Sequence, residues 1–170
     1  MKFLLADDTE LIREGLKSML LQLPNPAICP EIRTACNGAE ALSLMREHPV
    51  DLLITDIRMP VLTGLEMIQK ASEQGVKCHF IVVSGYKYFD YAQKALKYGV
   101  EDYLLKPIDE DELNRQLQKI VAEEEQREDK QQQVDQIEKK LEDSKYLSHT
   151  ESSRHTRIPQ TDTKPEAGKY

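Results

Sequence analysis

Apolar positions along the chain fall into two recurring patterns. Short continuous runs, "KFLLA" (2–6), "EIRTA" (31–35), "VDLLIT" (50–55), "HFIVVS" (79–84) and "DYLL" (102–105), read as strands. Between them, apolar residues recur at three- and four-residue spacing, the period of a helix with one buried face. "ELIREGLKSMLLQL" (10–23) places Leu11, Ile12, Gly15, Leu16, Met19, Leu20 and Leu23 on such a face. Further helices are expected through "AEALSLMREH" (39–48), "LEMIQKASEQ" (65–74) and "YFDYAQKALKYG" (88–99). Asp109 is positioned to cap a last helix through "EDELNRQLQKIVAEEE" (110–125). Punctuation separates the elements: the proline-rich "LPNPAICP", an Asn37-Gly38 turn, the Met59-Pro60 and Thr63-Gly64 loop, and glycines at 75 and 99.

Five strand–helix units with near-continuous apolar strands predict a parallel sheet covered on both faces. In such a sheet the strands' carboxyl ends lie along one edge, where ligands bind. The residues that follow the apolar runs are Asp7 and Asp8 after the first strand and Asp56 after the third. Ser84-Gly85 end the fourth, and Lys106-Pro107 follow the fifth. Three carboxylates, a hydroxyl and an ammonium are therefore expected to converge. Two unit charges about 4 Å apart repel by roughly 4 kcal/mol at an effective dielectric of 20. One lysine offsets part of this, and a divalent cation offsets more. An all-oxygen donor set suits Mg²⁺, which prefers a site shared with phosphate. Any one of these residues alone reads as a turn or cap residue. Their joint occurrence at four strand ends does not.

Charge sharpens the domain picture. The chain carries a net charge of −7 over 170 residues. Residues 123–147 carry −4 of it, as much as the whole of residues 1–122, while residues 148–170 are close to neutral. The acidic balance argues against a nucleic-acid surface here, since phosphate contacts need clustered Lys and Arg. No apolar run approaches the length of a membrane span, and the apolar part of "MKFLLADD" is too short for a signal peptide. A cytoplasmic protein without membrane contact is expected. Cys29, Cys36 and Cys78 lack metal-site spacing and read as reduced thiols. His48, His79, His149 and His155 show no ligand pattern in the sequence either.

"LLADD" (4–8), "LLITDIRMP" (52–60), "IVVSG" (81–85) and "DYLLKP" (102–107) together resemble the receiver domain of two-component response regulators. The resemblance spans residues 1–122. It implies an α/β fold of flavodoxin-like type, with a five-stranded parallel sheet in the order 2-1-3-4-5. It further implies that Asp56 is the phosphoacceptor for a sensor histidine kinase. Asp7, Asp8, Asp56 and the backbone carbonyl of Arg58 would hold Mg²⁺, with Asp8 as the more direct ligand of the acidic pair. Lys106 and Ser84 would contact the phosphoryl group, and Ser84 and Tyr103 would form the conformational switch. Gly85 would leave room for the phosphate. Thr9 departs from the family, whose members often carry an acidic residue there. No enzymatic turnover beyond self-catalysed phosphoryl transfer and autodephosphorylation is implied. The surface reporting the switch would comprise helix 88–98, strand 102–105 and helix 109–122.

Residues 84–113 resemble a narrower group of regulators, those with an AraC-type DNA-binding region. Residues 123–147 fit the charged helical linker that follows the receiver in that group, and residues 148–170 are expected to be disordered. Leu113, Leu117 and Ile120, and then Val134, Ile137 and Leu141, form two short apolar triads. Glu124, Arg127 and Gln131 interrupt the seam between them, which permits at most a weak coiled coil. A phosphorylation-dependent homodimer pairing both triads is expected. DNA would be reached only through an effector region missing from these residues. Two other readings stay open: a stand-alone receiver acting by partner binding or phosphorelay, and an enzyme of the same layered fold. The last lacks a second acid–base pair or additional nucleophile.

Overall fold

The computed structural model describes residues 1–23, 30–85 and 95–152, with side chains to Lys145. Strands β1 (Lys2–Ala6), β2 (Glu31–Ala35), β3 (Leu52–Asp56), β4 (His79–Ser84) and β5 (Asp102–Leu105) form one sheet in the order β2-β1-β3-β4-β5, with every pair parallel. Helices α1 (Glu10–Gln22), α2 (Gly38–Glu47) and α3 (Gly64–Glu73) alternate with the first four strands, and α4 (Glu110–Ser152) follows β5. This is the flavodoxin-like receiver order expected from the sequence. The greater part of the 88–99 helix expected from the sequence lies outside the described residues, and Ala95–Lys97 within it are helical.

The strands' alternating geometry explains their unbroken apolarity. Leu4, Ala6, Leu53, Phe80 and Val82 point to one face and pack with Ala41, Leu42 and Met45 of α2 and Leu65, Met67, Ile68 and Ala71 of α3. Phe3, Leu5, Leu52, Ile54, Ile81, Val83 and Leu104 point to the other. There they meet Leu16 and Leu20 of α1 and Leu113, Leu117 and Ile120 of α4. Each fully buried leucine or isoleucine contributes about 1.5–3 kcal/mol.

Several expectations change at this level. Leu11 does not join the buried face of α1; it is 80% exposed, because at about 100° per residue it lies roughly opposite Leu20, which with Leu16 meets the sheet. Asn37-Gly38 is not a free turn. The Asn37 side chain accepts a hydrogen bond from the Glu40 amide at 2.8 Å, so Asn37 caps α2 and Gly38 is its first residue. Gly75, at φ 73°, follows α3 in the left-handed region that glycine tolerates best. Asp109 caps α4 as expected, accepting from the Glu112 amide at 2.9 Å.

The largest correction concerns the two apolar triads. Leu113, Leu117 and Ile120 are at most 2% exposed and belong to the core, so they cannot pair across a dimer. Val134, Ile137 and Leu141 are 47–58% exposed. The chain divides into compact units Met1–Glu124 and Glu125–Tyr170. Helix α4 continues to Ser152, five residues into the segment expected to be disordered. Among the described residues no helix is long and apolar enough to cross a membrane.

Candidate phosphoryl-acceptor site

The carboxyl ends of β1, β3 and β5 bring the acidic residues and the lysine together. Asp7 follows β1, Asp56 closes β3, and Lys106 follows β5. The Lys106 ammonium donates to Asp7 Oδ2 at 2.7 Å and lies 3.5 Å from Asp56 Oδ2. One carboxylate oxygen each from Asp7, Asp8 and Asp56 lie within 4.8 Å of one another. The three carboxylates and the ammonium expected at the strand ends are thus found together, and residues 99 positions apart meet at hydrogen-bond distance.

The carboxylates differ in what is left free. Asp7 is buried, and both of its oxygens are engaged: Oδ1 accepts from the Thr9 amide at 2.8 Å and Oδ2 from Lys106. Arg13 donates to the Asp7 backbone carbonyl at 2.6 Å, which fixes the turn from β1 into α1. Thr9 occupies the cap position of α1 without a side-chain capping bond, so neither Asp7 nor Asp8 serves as the helix cap. Asp8 is exposed, with a long contact of 3.5 Å from the Thr9 hydroxyl. Asp56 is half-buried, and its Oδ1 accepts from the Ile57 amide at 2.8 Å.

Burial raises the Asp56 pKa above the ordinary carboxylate value. The Lys106 charge opposes this and the Asp7 charge adds to it. Burial disfavours the Lys106 ammonium, but the hydrogen bond to Asp7 and the charges of Asp56 and Asp7 outweigh it and raise the lysine's pKa. The pocket thus holds an ammonium beside a carboxylate that is more basic than usual.

The loop after β3 holds Asp56 in place. The Gly64 amide donates to the Ile57 carbonyl at 2.9 Å, folding the loop back against the strand end. A Cβ at Gly64 would lie 2.0 Å from the Asp56 carbonyl oxygen, so only glycine fits this approach. Thr63 and Glu66 then start α3 with a reciprocal capping box. In the same loop the Leu62 amide donates to the Pro60 carbonyl at 2.8 Å around Val61, whose φ is 70°. Neither the close packing at Gly64 nor the reversed backbone at Val61 follows from the sequence pattern. The "TG" at 63–64 was the only local signal of a tight approach.

The remaining site residues are placed as follows. Ser84 ends β4 and is buried, and its carbonyl accepts from the Lys106 amide at 2.9 Å. Tyr103, in the middle of β5, is half-buried against the cluster that contains Phe80 and Val82. Arg58 is exposed two residues beyond β3. The Lys106-Pro107 peptide bond is cis.

Residues 3–118 match the response regulator receiver domain family. The chain belongs to that family. Members use Mg²⁺ for phosphoryl transfer and pair with histidine kinases. The uncharacterized transcriptional regulatory protein YesN of Bacillus subtilis is 40% identical over 122 residues, which is 72% of this chain and 33% of the relative. HptR of Staphylococcus aureus, also a transcriptional regulatory protein, is 38% identical over 120 residues, or 71% of this chain and 46% of the relative. The chain thus spans a third to just under half of the length of these curated relatives. Among solved structures, the receiver domain of AraT, a response regulator from Geobacillus stearothermophilus, is 39% identical with a TM-score of 0.66. The match covers 75% of this chain and 97% of that one. These matches carry the receiver resemblance; the AraC-type resemblance of residues 84–113 does not follow from them.

Proposed function

We propose that this receiver domain accepts a phosphoryl group on Asp56 from a phosphohistidine on a sensor kinase. An Asp56 oxygen attacks phosphorus, the phosphorus–nitrogen bond breaks, and its electron pair returns to the imidazole. The observation that carries this reading is the convergence of Asp7, Asp8, Asp56 and Lys106 at one sheet edge. Asp56 has the basicity of a partly buried carboxylate, which favours it as the nucleophile. Lys106 stands 3.5 Å from it, within reach of an oxygen on the incoming group. Positioning and charge neutralisation supply most of the catalysis in such transfers.

The donor set fits Mg²⁺. Three carboxylates gather where one ammonium already binds Asp7, and Asp8 is exposed at the mouth of the site. Asp8, Asp56 and the Arg58 carbonyl would hold the ion, with Asp7 supporting it through its neighbours. When bound, the ion neutralises charge on the phosphoryl oxygens. The acyl phosphate would carry roughly −1.5 to −2 charges in place of the single charge of the free Asp56 carboxylate. Ser84 would then move toward the new group and Tyr103 would turn inward, shifting the packing around β5.

We further propose that the output is transcriptional control through a DNA-binding part outside these 170 residues. The names of YesN and HptR support this reading. A phosphorylation-dependent homodimer would draw on the face formed by β5 and the start of α4, and on the exposed Val134, Ile137 and Leu141.

The test is direct. Acetyl phosphate with Mg²⁺ should add about 80 Da, the mass of one phosphoryl group, to the intact protein and nothing to Asp56→Asn. Equal labelling of the variant would remove Asp56 as the acceptor.

A further inference from the structure

A second set of ligating side chains lies at the opposite edge of the sheet. His79 opens β4 and is buried; Glu101 immediately precedes β5; Glu123 and Glu124 lie on α4 within the first compact unit. The imidazole is engaged on both nitrogens. Nδ1 hydrogen-bonds to Glu101, and Nε2 lies 2.5 Å from Glu124 Oε1. The second oxygen of Glu101 accepts from the Phe80 amide at 2.9 Å, which ties that carboxylate to the sheet. Glu123 supplies a third carboxylate. One ligand atom each from His79, Glu101 and Glu123 lie within 4.8 Å of one another.

We propose that His79, Glu101 and Glu123 form a binding site for a divalent transition metal of the zinc class, with Glu124 orienting the imidazole. One imidazole nitrogen with two carboxylate oxygens is a donor set that Zn²⁺ accepts readily, whereas the oxygen-only pocket at Asp56 suits Mg²⁺. Three protein ligands leave a fourth position for water. The charge balance also favours a cation, since even a protonated His79 would meet three carboxylates. Binding would displace the proton from Nδ1 to solvent, while the Nε2–H donates to Glu124. This reproduces the carboxylate–histidine–metal arrangement that fixes a ligand's tautomer.

The required movement is small. Donors about 2.0–2.1 Å from a tetrahedral ion stand about 3.3 Å from one another. The imidazole nitrogen and the Glu101 oxygen already touch and would part by about an ångström to admit the ion, whereas the Glu123 oxygen, within 4.8 Å of both, would close by about an ångström or somewhat more. Glu123 is exposed and the Glu101 side chain is 26% exposed, so both have room to move. The metal would join β4, the approach to β5 and the end of α4's buried stretch.

The experiment uses the full chain carrying Asp8→Asn, which weakens the acidic pocket as a competitor. Zn²⁺ is titrated at neutral pH against a chromophoric chelator, and Co²⁺ serves as the spectroscopic probe. One equivalent should be lost on adding His79→Gln. Glu124→Gln should weaken it by about 10–100-fold, as expected when a histidine loses its orienting carboxylate. Glu123→Gln changes an exposed side chain, so it should keep the fold; it should weaken binding and alter the Co²⁺ spectrum. Zn²⁺ binding that is unchanged in both His79→Gln and Glu123→Gln would overturn the proposal. So would an absence of binding at zinc concentrations on the order of 100 μM, far above the range of structural zinc sites. In either case the cluster would be an ion-paired imidazolium only.

Discussion

The two edges of the sheet are both charged, but they are charged for different work. At the carboxyl edge, Lys106 is committed to the buried Asp7 at 2.7 Å, while Asp8 and Asp56 keep access to solvent. That edge presents oxygen atoms outward. At the amino edge the imidazole of His79 is itself buried, with Glu101 and Glu124 on its two nitrogens. That edge encloses a nitrogen between elements. Burial raises the pKa of Asp56, making an accessible carboxylate more basic. At His79 the bond to Glu101 acts in the same upward direction. It overcomes burial with help from Glu124, and the pKa rises to about 9. One edge therefore favours the arrival of a ligand with positive or electrophilic character. The other already stabilises a proton where it could hold a metal.

The sharpest way to break the carboxyl edge is to fill the space beneath it. Gly64→Ala would drive a methyl group to 2.0 Å from the Asp56 carbonyl and 3.0 Å from the Thr55 hydroxyl. Backbone oxygen cannot yield as a flexible side chain can. The expected cost is about 3 kcal/mol or more, at the upper end for overpacking, with displacement of Asp56 and loss of phosphorylation. Gly15→Ala is the control. Nothing lies within 4 Å of its Cβ position, and the helix should gain about 0.5–1 kcal/mol. Urea melts of both variants check the pair. A Gly64→Ala protein with wild-type stability would mean the loop is not held as described.

The amino edge should reveal itself through pH. In the presence of a chelator, His79 is protonated in the folded protein up to about 9, against an ordinary value of 6.5. Glu101 and Glu124 face its nitrogens, and Glu123 lies close by. Because the folded value is raised, the stabilisation is fully present below about 6.5 and is lost as pH climbs through about 9. The gap between the two values caps it at about 3 kcal/mol. His79→Gln should flatten the fall in urea midpoint between pH 6 and pH 9. Parallel profiles for the variant and the wild type would show that the imidazole carries no such charge.

These edges also differ in how legible they were. Asp7, Asp8, Asp56, Ser84 and Lys106 each follow or end an apolar run, so assigning strands was enough to place them on one edge. Parallel pairing then converted sequence order into proximity. The amino-edge cluster had no such marker. His79 stands at the start of its strand, Glu101 lies 22 positions on, and Glu124 lies 45 positions on within a run of glutamates. Nothing in that run separates Glu124 from its neighbours until the helix is seen to pack. Helix packing also decided the fate of the two apolar triads. Spacing alone could not tell that Leu113, Leu117 and Ile120 face the sheet while Val134, Ile137 and Leu141 remain exposed. Leu11 was misplaced for another reason. At about 100° per residue it lies roughly opposite Leu20, outside the face that Leu16 and Leu20 present.

The smallest expected effect falls at the mouth of the carboxyl edge and sharpens the comparison most. Asp8 lies among carboxylates and is exposed, and its contact with Thr9 is long. Like charges about 4 Å apart repel by only about 1 kcal/mol where water screens them. Removing one charge should therefore raise the metal-free stability of Asp8→Asn by no more than about that amount. The same change replaces a charged carboxylate donor by a neutral amide, so the rise in melting temperature expected for the wild type on adding Mg²⁺ should shrink or vanish. The two responses have opposite signs, which separates a ligand from a structural residue. Thermal melts with and without Mg²⁺ read both. A clear fall in metal-free melting temperature would make Asp8 a support for the turn into α1, and the pocket would then present one acidic oxygen donor fewer than its geometry suggests.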